Sequence, residues 1–377
     1  MNSKNKRKLK LKPQFIFILK LLAVILIICF SLFMFYRYQL NTLKELGYSE
    51  VASKNILRNF EKEYVLSVGE NKTLNAAFES SDYNTKYKEK YAKIKYQNHD
   101  DLILNINSLL KKGYNTGEVS IILAHGNNED VTNFAKKDKV KYLEEFYSID
   151  YAKLKYYDRY VMYSDETGED EETTVLYVNL DLDKENYIDP IIVDKFSTDM
   201  LVNKHRKLKE NFEPDLTKID SQYAANDDME ASRIAVNSFI EMYNAAKSEN
   251  LDLVINSAYR SYDDQVKISE TYKNLYGDNY VKNYVAKPGF SEHQTGLAFD
   301  IGSRHSNVFA QSNEYLWIKD NAHKYGFILR FSKRYEDVTG FRSEPWHYRY
   351  VGKKIATYIY ENNITLEEYY VKFLDNN

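Results

Sequence analysis

Residues 288–302 read Pro-Gly-Phe-Ser-Glu-His-Gln-Thr-Gly-Leu-Ala-Phe-Asp-Ile-Gly, which places metal-binding residue types in a short run punctuated by glycine. The alternation that starts at Gly296 is typical of a half-buried strand, with Gly296, Ala298 and Asp300 on one face. These small side chains leave room in front of Asp300, so His293 from the preceding turn can converge with it on one cation. The plainer interpretation is a histidine in a turn and an aspartate that ends a strand.

A second stretch, residues 343–350, reads Ser-Glu-Pro-Trp-His-Tyr-Arg-Tyr and adds a third ligand, His347. Three protein ligands and an open position are typical of catalytic zinc, whereas a structural site closes with a fourth ligand. Glu344, three residues before His347, can take a proton from the attacking water and return it to a leaving amine. The pattern therefore favours metal-assisted hydrolysis.

An arginine falls at the end of another predicted strand. Residues 251–256 are apolar enough for a strand, and Ser-Ala-Tyr-Arg-Ser follows at 257–261, before a polar helix from about residue 263. Arg260 is thus expected at the carboxyl end of the strand, where its guanidinium can meet a carboxylate or a developing oxyanion. A surface ion pair is the alternative.

The three motifs together resemble those of the VanY-type D-alanyl-D-alanine carboxypeptidases, zinc peptidases of bacterial cell walls. They are Ser-Ala-Tyr-Arg-Ser followed by Gln265, then Ser-Glu-His-Gln-Thr-Gly-Leu-Ala-Phe-Asp at 291–300, then Glu-Pro-Trp-His at 344–347. They occur in the order of the family, and the resemblance covers roughly residues 195–365. Taken together they are highly specific, whereas each one alone is not.

The resemblance implies a role for each matching position. Zinc would be held by His293, Asp300 and His347, with Glu344 as the general base. Arg260 would stabilise the tetrahedral intermediate. Ser291 and Gln265 would lie near the terminal carboxylate of the substrate.

The function that this resemblance implies is removal of the terminal D-alanine from peptidoglycan stem peptides or their precursors. Two rivals share the chemistry: an L,D-carboxypeptidase and a peptidoglycan endopeptidase, because the motifs define zinc hydrolysis better than they define the residue removed. A third is a catalytically silent zinc domain that binds the cell wall. Glu344 and Arg260 count against the third, since a purely structural site needs neither.

Composition narrows the alternatives. The chain has 377 residues, enough for more than one domain, and a net charge of −3 that gives no electrostatic case for a nucleic-acid partner. Its single cysteine, Cys29, excludes an intramolecular disulfide and a zinc site built from several thiolates. Any metal must be held by histidine or carboxylate groups.

The amino terminus indicates a membrane anchor. Residues 1–14 form a basic tail, and the segment 15–36 is apolar apart from Lys20 and Ser31, long enough to span a bilayer. A cleaved signal peptide is the alternative, but no small-residue cleavage site precedes the polar residues that follow. Under the positive-inside rule the rest of the chain lies outside the cytoplasm, as a single-pass membrane protein.

Between the anchor and the motifs, residues 41–158 contain an internal repeat. Leu-x-x-x-Gly-Tyr-Ser at 43–49 returns as Leu-x-x-x-Gly-Tyr-Asn at 109–115, which predicts a duplicated helix-turn-helix unit. It could bind the cell wall or a partner, space the enzyme from the membrane, or only pack on itself. Residues 159–194 are predicted as a β-hairpin and linker.

The fold class that follows is α+β. A small antiparallel sheet flanked by helices is expected in a zinc carboxypeptidase domain at 195–377, behind the transmembrane helix and the mainly helical repeat region.

Overall fold

The computed structural model describes residues 12–375, which form two compact units. The first unit ends at Ser148 and also includes Lys153–Lys155. The second holds Ile149–Ala152 and the chain from Tyr156 onward. Most of the basic tail predicted at 1–14 lies outside the described residues.

The described part of the first unit is built from helices and turns. Its α-helices are α1 Pro13–Glu45, α2 Glu50–Arg58, α3 Lys62–Val68, α4 Lys72–Glu79, α5 Lys88–Tyr91, α6 Leu102–Lys111, α7 Thr116–His125, α8 Asn128–Phe134 and α9 Leu143–Tyr147. The predicted anchor lies within α1. Judged by its length of 33 residues and its apolar composition alone, this helix could cross a membrane.

Both copies of the predicted repeat contain a helix, a glycine turn and a capped second helix. Gly47 and Gly113 follow α1 and α6 with positive φ, which is the usual glycine conformation after a helix. Ser49 then accepts a hydrogen bond from the Ala52 amide to begin α2, and Asn115 accepts one from Glu118 to begin α7. The same sequence pattern therefore forms the same helix-turn-helix twice.

The second unit begins with two further helices, α10 Tyr157–Thr167 and α11 Glu171–Asn179, so the β-hairpin prediction for this segment is wrong. β-branched residues favoured a strand, yet Thr174, Val175 and Val178 are buried at helical spacing. Gly168, with φ +71°, ends α10, and Asp170 caps α11 through the Thr173 amide. This is a third copy of the pattern of glycine followed by a cap.

The α11 helix also explains why the second unit begins before the predicted boundary at 195. Leu180 at its end is fully buried in a cluster with Ile328, Val351 and Ile359, and Leu176 packs against the same cluster. These contacts join residues of the predicted linker to the carboxy-terminal helices.

The remaining elements alternate between short strands and helices. The helices are α12 Arg233–Ser248, α13 Tyr262–Tyr276, α14 Asp278–Tyr284, α15 Asn313–Asn321, α16 Glu336–Thr339, α17 Lys353–Asn362 and α18 Leu366–Tyr369. The strands are β1 Ile191–Val193, β2 Arg206–Leu208, β3 Leu216–Lys218, β4 Glu230–Ser232, β5 Leu253–Ser257, β6 Ala298–Ser303, β7 Phe327–Phe331 and β8 Glu344–Tyr350. β1 pairs in parallel with β2, and β3 pairs antiparallel with β4.

The largest sheet confirms the predicted α+β class. Its four strands are antiparallel and run in the order β5-β6-β8-β7. Phe299 and Tyr348 lie on the face that packs against α12, where the Phe239 and Phe299 rings are 5.8 Å apart. Because side chains alternate along a strand, Asp300 and His347 lie on the opposite face.

Candidate active site

Strand pairing places two of the predicted ligands side by side. Asp300 on β6 and His347 on β8 are direct partners in the antiparallel register. Side chains at such positions share one face and begin about 5 Å apart. The His347 Nδ1 atom accordingly lies 3.2 Å from Asp300 Oδ1.

His293 comes from the turn that leads into β6. The Glu292–Thr295 segment is a single 3-10 turn, closed by Gly296 with φ +70°. His293 Nδ1 donates to the Ala258 carbonyl at 2.7 Å, which fixes the tautomer and leaves Nε2 3.4 Å from Asp300 Oδ1. The imidazole is thus held with its acceptor nitrogen toward the aspartate.

Gly296 has a different role from the one predicted. The strand begins at Ala298, so Gly296 is not a strand residue in front of Asp300. A Cβ at Gly296 would lie 3.0 Å from both the Ser232 amide nitrogen and the Leu216 side chain. The absence of a side chain at Gly296 therefore lets β3 and β4 lie close to this turn. Gly296 also has a left-handed backbone conformation that other residues rarely adopt.

The three predicted ligands form a compact cluster. One ligand atom from each of His293, Asp300 and His347 lies within 4.8 Å of the others, and both histidines are buried. Two imidazole nitrogens and one carboxylate oxygen match the donor types that zinc prefers in catalytic sites. Burial raises the pKa of Asp300, but the two histidines outweigh burial and hold it well below its ordinary value, so the ligand is ionised.

The fourth residue at the cluster is Glu292, which the sequence analysis did not assign. Its Oε2 lies 3.3 Å from His347 Nε2, the nitrogen turned away from Asp300. A carboxylate on the outer nitrogen of a ligating histidine sets the tautomer and raises the basicity of the inner nitrogen. The contact with Glu292 thus leaves Nδ1 as the nitrogen through which His347 would hold a metal ion.

Glu292 is itself held by buried charges. Its Oε1 accepts from Arg330 Nε at 2.9 Å and from Arg349 Nη1 at 3.0 Å. Arg330 also donates two hydrogen bonds to Glu367 of α18. Burial raises the pKa of Glu292, but the two arginines outweigh it and lower the pKa below the ordinary range. Two features of the sequence could have pointed to Glu292. It is an acidic residue directly before His293, and Arg330 and Arg349 are charged residues within two otherwise largely apolar strands.

Glu344 opens β8 beside the cluster. Its Oε2 lies 3.7 Å from His347 Nδ1. Burial raises the pKa of Glu344 to about 7. A carboxyl group with a pKa near neutrality can accept and return a proton under physiological conditions.

Arg260 reaches the same cluster from the loop after β5. Its Nη2 donates to Asp300 Oδ2 at 2.9 Å, and both Nε and Nη2 donate to Ser257 Oγ. The Arg260 side chain is 23% exposed and forms part of the cleft wall. The predicted position after the strand is confirmed, and the surface-pair alternative does not apply, because Asp300 is part of the cluster.

One cleft of about 380 Å³ brings all seven predicted site residues together. Ser291 and Gln265 line it alongside the cluster and are both buried. Gln265 Nε2 donates to the Ala286 carbonyl at 2.8 Å, while its Oε1 has no hydrogen-bond partner among the described residues. Aromatic side chains form much of the remaining wall, among them Tyr272, Tyr280 and Trp346.

Comparisons with known proteins match this part of the chain. The family model described as VanY, D-alanyl-D-alanine carboxypeptidase, matches residues 228–353. Putative carboxypeptidase YodJ of Bacillus subtilis is 44% identical over 181 residues, which cover 46% of this chain and 66% of YodJ, just under two thirds. The solved LdcB LD-carboxypeptidase is 44% identical, with a TM-score of 0.43 over 46% of this chain and 85% of that one.

A further relative is aligned over almost its whole length. The bifunctional D-Ala-D-Ala dipeptidase and D-Ala-D-Ala carboxypeptidase VanXYC of Enterococcus gallinarum is 32% identical over 181 residues, 46% of this chain and 94% of that protein. The range matched by the family model, residues 228–353, includes all three motifs. Because the alignment covers nearly all of that relative, the chain belongs to the VanY family of D-alanyl-D-alanine carboxypeptidases.

Proposed function

We propose that this protein is a zinc D,D-carboxypeptidase that hydrolyses the terminal D-Ala-D-Ala bond of peptidoglycan stem peptides. The observation that carries the proposal is the cluster of His293, Asp300 and His347 in one cleft with Glu344 and Arg260. A site that only stabilised the fold would need neither a carboxyl group with a near-neutral pKa nor an arginine at its edge.

The donor set supports zinc as the metal. His293 would bind through Nε2 and His347 through Nδ1, since hydrogen bonds to Ala258 and Glu292 occupy the other nitrogens. When bound, zinc supplies a Lewis acid that activates water at neutral pH and polarises the scissile carbonyl.

Glu344 is assigned the proton transfers. As a carboxylate it takes a proton from the water that attacks the scissile carbonyl. It then returns that proton to the nitrogen of the leaving D-alanine as the peptide bond breaks. One water is consumed, and the products are a shortened stem peptide and free D-alanine.

Arg260 is assigned the oxyanion. Its hydrogen bond to Asp300 holds the guanidinium at the edge of the cluster. There it can stabilise the negative charge that develops on the carbonyl oxygen of the substrate. Ser291 and Gln265 are assigned to the terminal carboxylate of the substrate, because both line the cleft and carry hydrogen-bonding groups.

A second candidate is L,D-carboxypeptidase activity on tetrapeptide stems. It is favoured by the 44% sequence identity to LdcB LD-carboxypeptidase. The two activities would use the same metal and base and differ in the residue before the cut, which is D-alanine in the pentapeptide and the L-configured third residue in the tetrapeptide.

The test is mass spectrometry of stem peptides incubated with the full chain in detergent, with zinc or with a chelator. Chelator-sensitive loss of one alanine from the pentapeptide alone would support the D,D activity. Loss from the tetrapeptide alone would replace it with the L,D activity. Cleavage that the chelator leaves unchanged would refute the zinc mechanism.

We also propose that α1 anchors the protein in the cell membrane, with the catalytic unit outside the cytoplasm. The support is the length and apolar composition of α1 and the basic residues before it. Protease added to intact protoplasts should digest the catalytic unit and spare a cytoplasmic marker. Protection of the catalytic unit until the cells are lysed would contradict this orientation.

A further inference from the structure

Four tyrosines form a continuous aromatic ladder on α13 and α14. Tyr272, Tyr276, Tyr280 and Tyr284 recur at every fourth position, and their rings lie close together despite the break between the helices at Gly277. Successive ring centroids lie 5.8, 4.7 and 4.8 Å apart, and the Tyr272 and Tyr280 planes differ by only 8°.

The ladder is exposed to solvent. Tyr272 is 37% exposed, Tyr276 60% and Tyr284 41%. The stacking alone does not account for this exposure, because rings that only supported the fold would be covered. A group of exposed aromatic side chains beside a cleft can serve as an interaction surface.

Three of the four tyrosines are part of the catalytic cleft. Tyr272, Tyr280 and Tyr284 line the same cavity as the metal cluster, whereas Tyr276 lies outside that lining. Burial raises the pKa of Tyr280, and nearby Glu344 is one of the groups that raise it further. The tyrosine ladder thus forms part of the cleft wall and continues onto the protein surface at Tyr276.

The chemistry of the ladder suits a sugar better than a peptide. Its four side chains are neutral. The charged residues Lys273 and Asp278 of the same two helices pair with each other, and both side chains are exposed to solvent. Flat aromatic faces pack against the C–H face of a pyranose ring, while phenol hydroxyls can bond to its hydroxyl and acetamido groups. An extended peptide would instead require backbone donors and acceptors, as in strand addition.

The reach of the substrate agrees with this position. In a pentapeptide stem, four residues separate the scissile bond from the sugar that carries the stem. They span about 13 Å when extended, at about 3.3 Å each. A stem peptide with its cut bond at the cluster therefore holds its sugar away from the three predicted ligands, where exposed tyrosines of the same cleft wall can meet it.

We propose that the tyrosine ladder of α13 and α14 is a glycan subsite, which binds the N-acetylated sugars of the strand that carries the stem peptide. The identity of the substrate in this inference rests on the proposed function, whereas the binding of sugars to the tyrosines does not. The enzyme would then act preferentially on stems attached to glycan rather than on free peptides.

The first experiment compares a disaccharide pentapeptide with the free pentapeptide as substrates of the full chain in detergent. The ratio of the two kcat/KM values should be roughly tenfold in favour of the glycan-linked stem. Tyr276→Ala should reduce that ratio roughly 3- to 10-fold, the range for one lost aromatic contact. Tyr276→Phe should keep it, because the ring remains.

The matched control is Leu275→Ala, an exposed apolar residue of the same helix that is 66% exposed and outside the ladder. It should leave the ratio unchanged. An equal rate on both substrates in the wild type, or the same fall in ratio for Leu275→Ala as for Tyr276→Ala, would overturn the inference.

A binding measurement separates this inference from the proposed function. Isothermal titration uses a peptide-free tetrasaccharide of alternating N-acetylglucosamine and N-acetylmuramic acid. Binding that Tyr276→Ala weakens would support the subsite even if neither peptide were hydrolysed. No binding of the tetrasaccharide would overturn it even if both peptides were hydrolysed.

Discussion

Removing the charge of Glu292 should weaken zinc binding without touching a metal ligand. In Glu292→Gln the side chain keeps its shape but no longer accepts as a carboxylate from His347 Nε2. Loss of such an outer partner typically lowers metal affinity by about 10- to 100-fold. We therefore expect the zinc dissociation constant of Glu292→Gln to rise by about that factor.

The same change should destabilise the fold. Glu292 and Glu367 balance the charges of Arg330 and Arg349, and the four side chains are at most 2% exposed. Glu292→Gln leaves one positive charge uncompensated in the interior, while Arg330 keeps its pair with Glu367. Breaking a buried ion pair from one side costs about 3–5 kcal/mol.

The assay is competition for zinc against a chromophoric chelator, at a temperature where circular dichroism shows both proteins folded. Glu314→Gln is the matched control, because Glu314 is also buried and paired with a histidine, His305, at 2.7 Å, but does not line the cleft. It should lower the free energy of unfolding with little effect on zinc affinity. Equal zinc affinity in wild type and Glu292→Gln would refute the role assigned to Glu292.

Three further predictions concern the cleft. Glu344→Gln should abolish hydrolysis but retain zinc, because Glu344 is given no ligand role; loss of metal, measured by elemental analysis, would contradict that. Arg260→Ala should lower kcat by roughly 100- to 1000-fold, as for an oxyanion donor, and unchanged turnover would remove it from the mechanism. Burial lowers the pKa of His347, but contacts with Asp300 and Glu292 outweigh it and raise the pKa to about 9. Zinc must displace that proton, so its apparent affinity should rise with pH, by up to about tenfold per unit, between pH 7 and 9; a flat profile would refute this.

The pKa of His347 also predicts how the metal-free protein responds to pH. Its pKa is raised on folding, so its contribution to stability is fully present below about pH 6.5. That contribution is lost as the pH rises through about 9. The ionised form of buried Glu344 acts in the same direction, because its pKa is raised to about 7 and ionisation opposes folding.

Local patterns were enough to predict that His293, Asp300 and His347 would lie together. Asp300 and His347 each lie in a short strand whose alternation is visible in sequence, and His293 is fixed by the adjacent turn. Their convergence required only that the two strands pair, which they do in direct register. The resemblance to one family then supplied the roles of the neighbouring residues.

The supporting charges could not be predicted in the same way. Glu292 meets Arg330 and Arg349 across 38 and 57 residues of chain, and no short motif encodes contacts of that range. The α10 and α11 helices were missed for a different reason. Valine and threonine suggested strands, but tertiary packing and the cap at Asp170 outweighed that propensity.

The most direct test of the central claim follows zinc occupancy and D-alanine release in the same samples. The full chain would be stripped of metal and then reloaded with zinc in steps. Release from a pentapeptide stem should rise in proportion to bound zinc, saturate at one ion per chain, and be absent in His293→Ala at any zinc concentration. Full release from the metal-free protein, or undiminished release by His293→Ala, would contradict the claim.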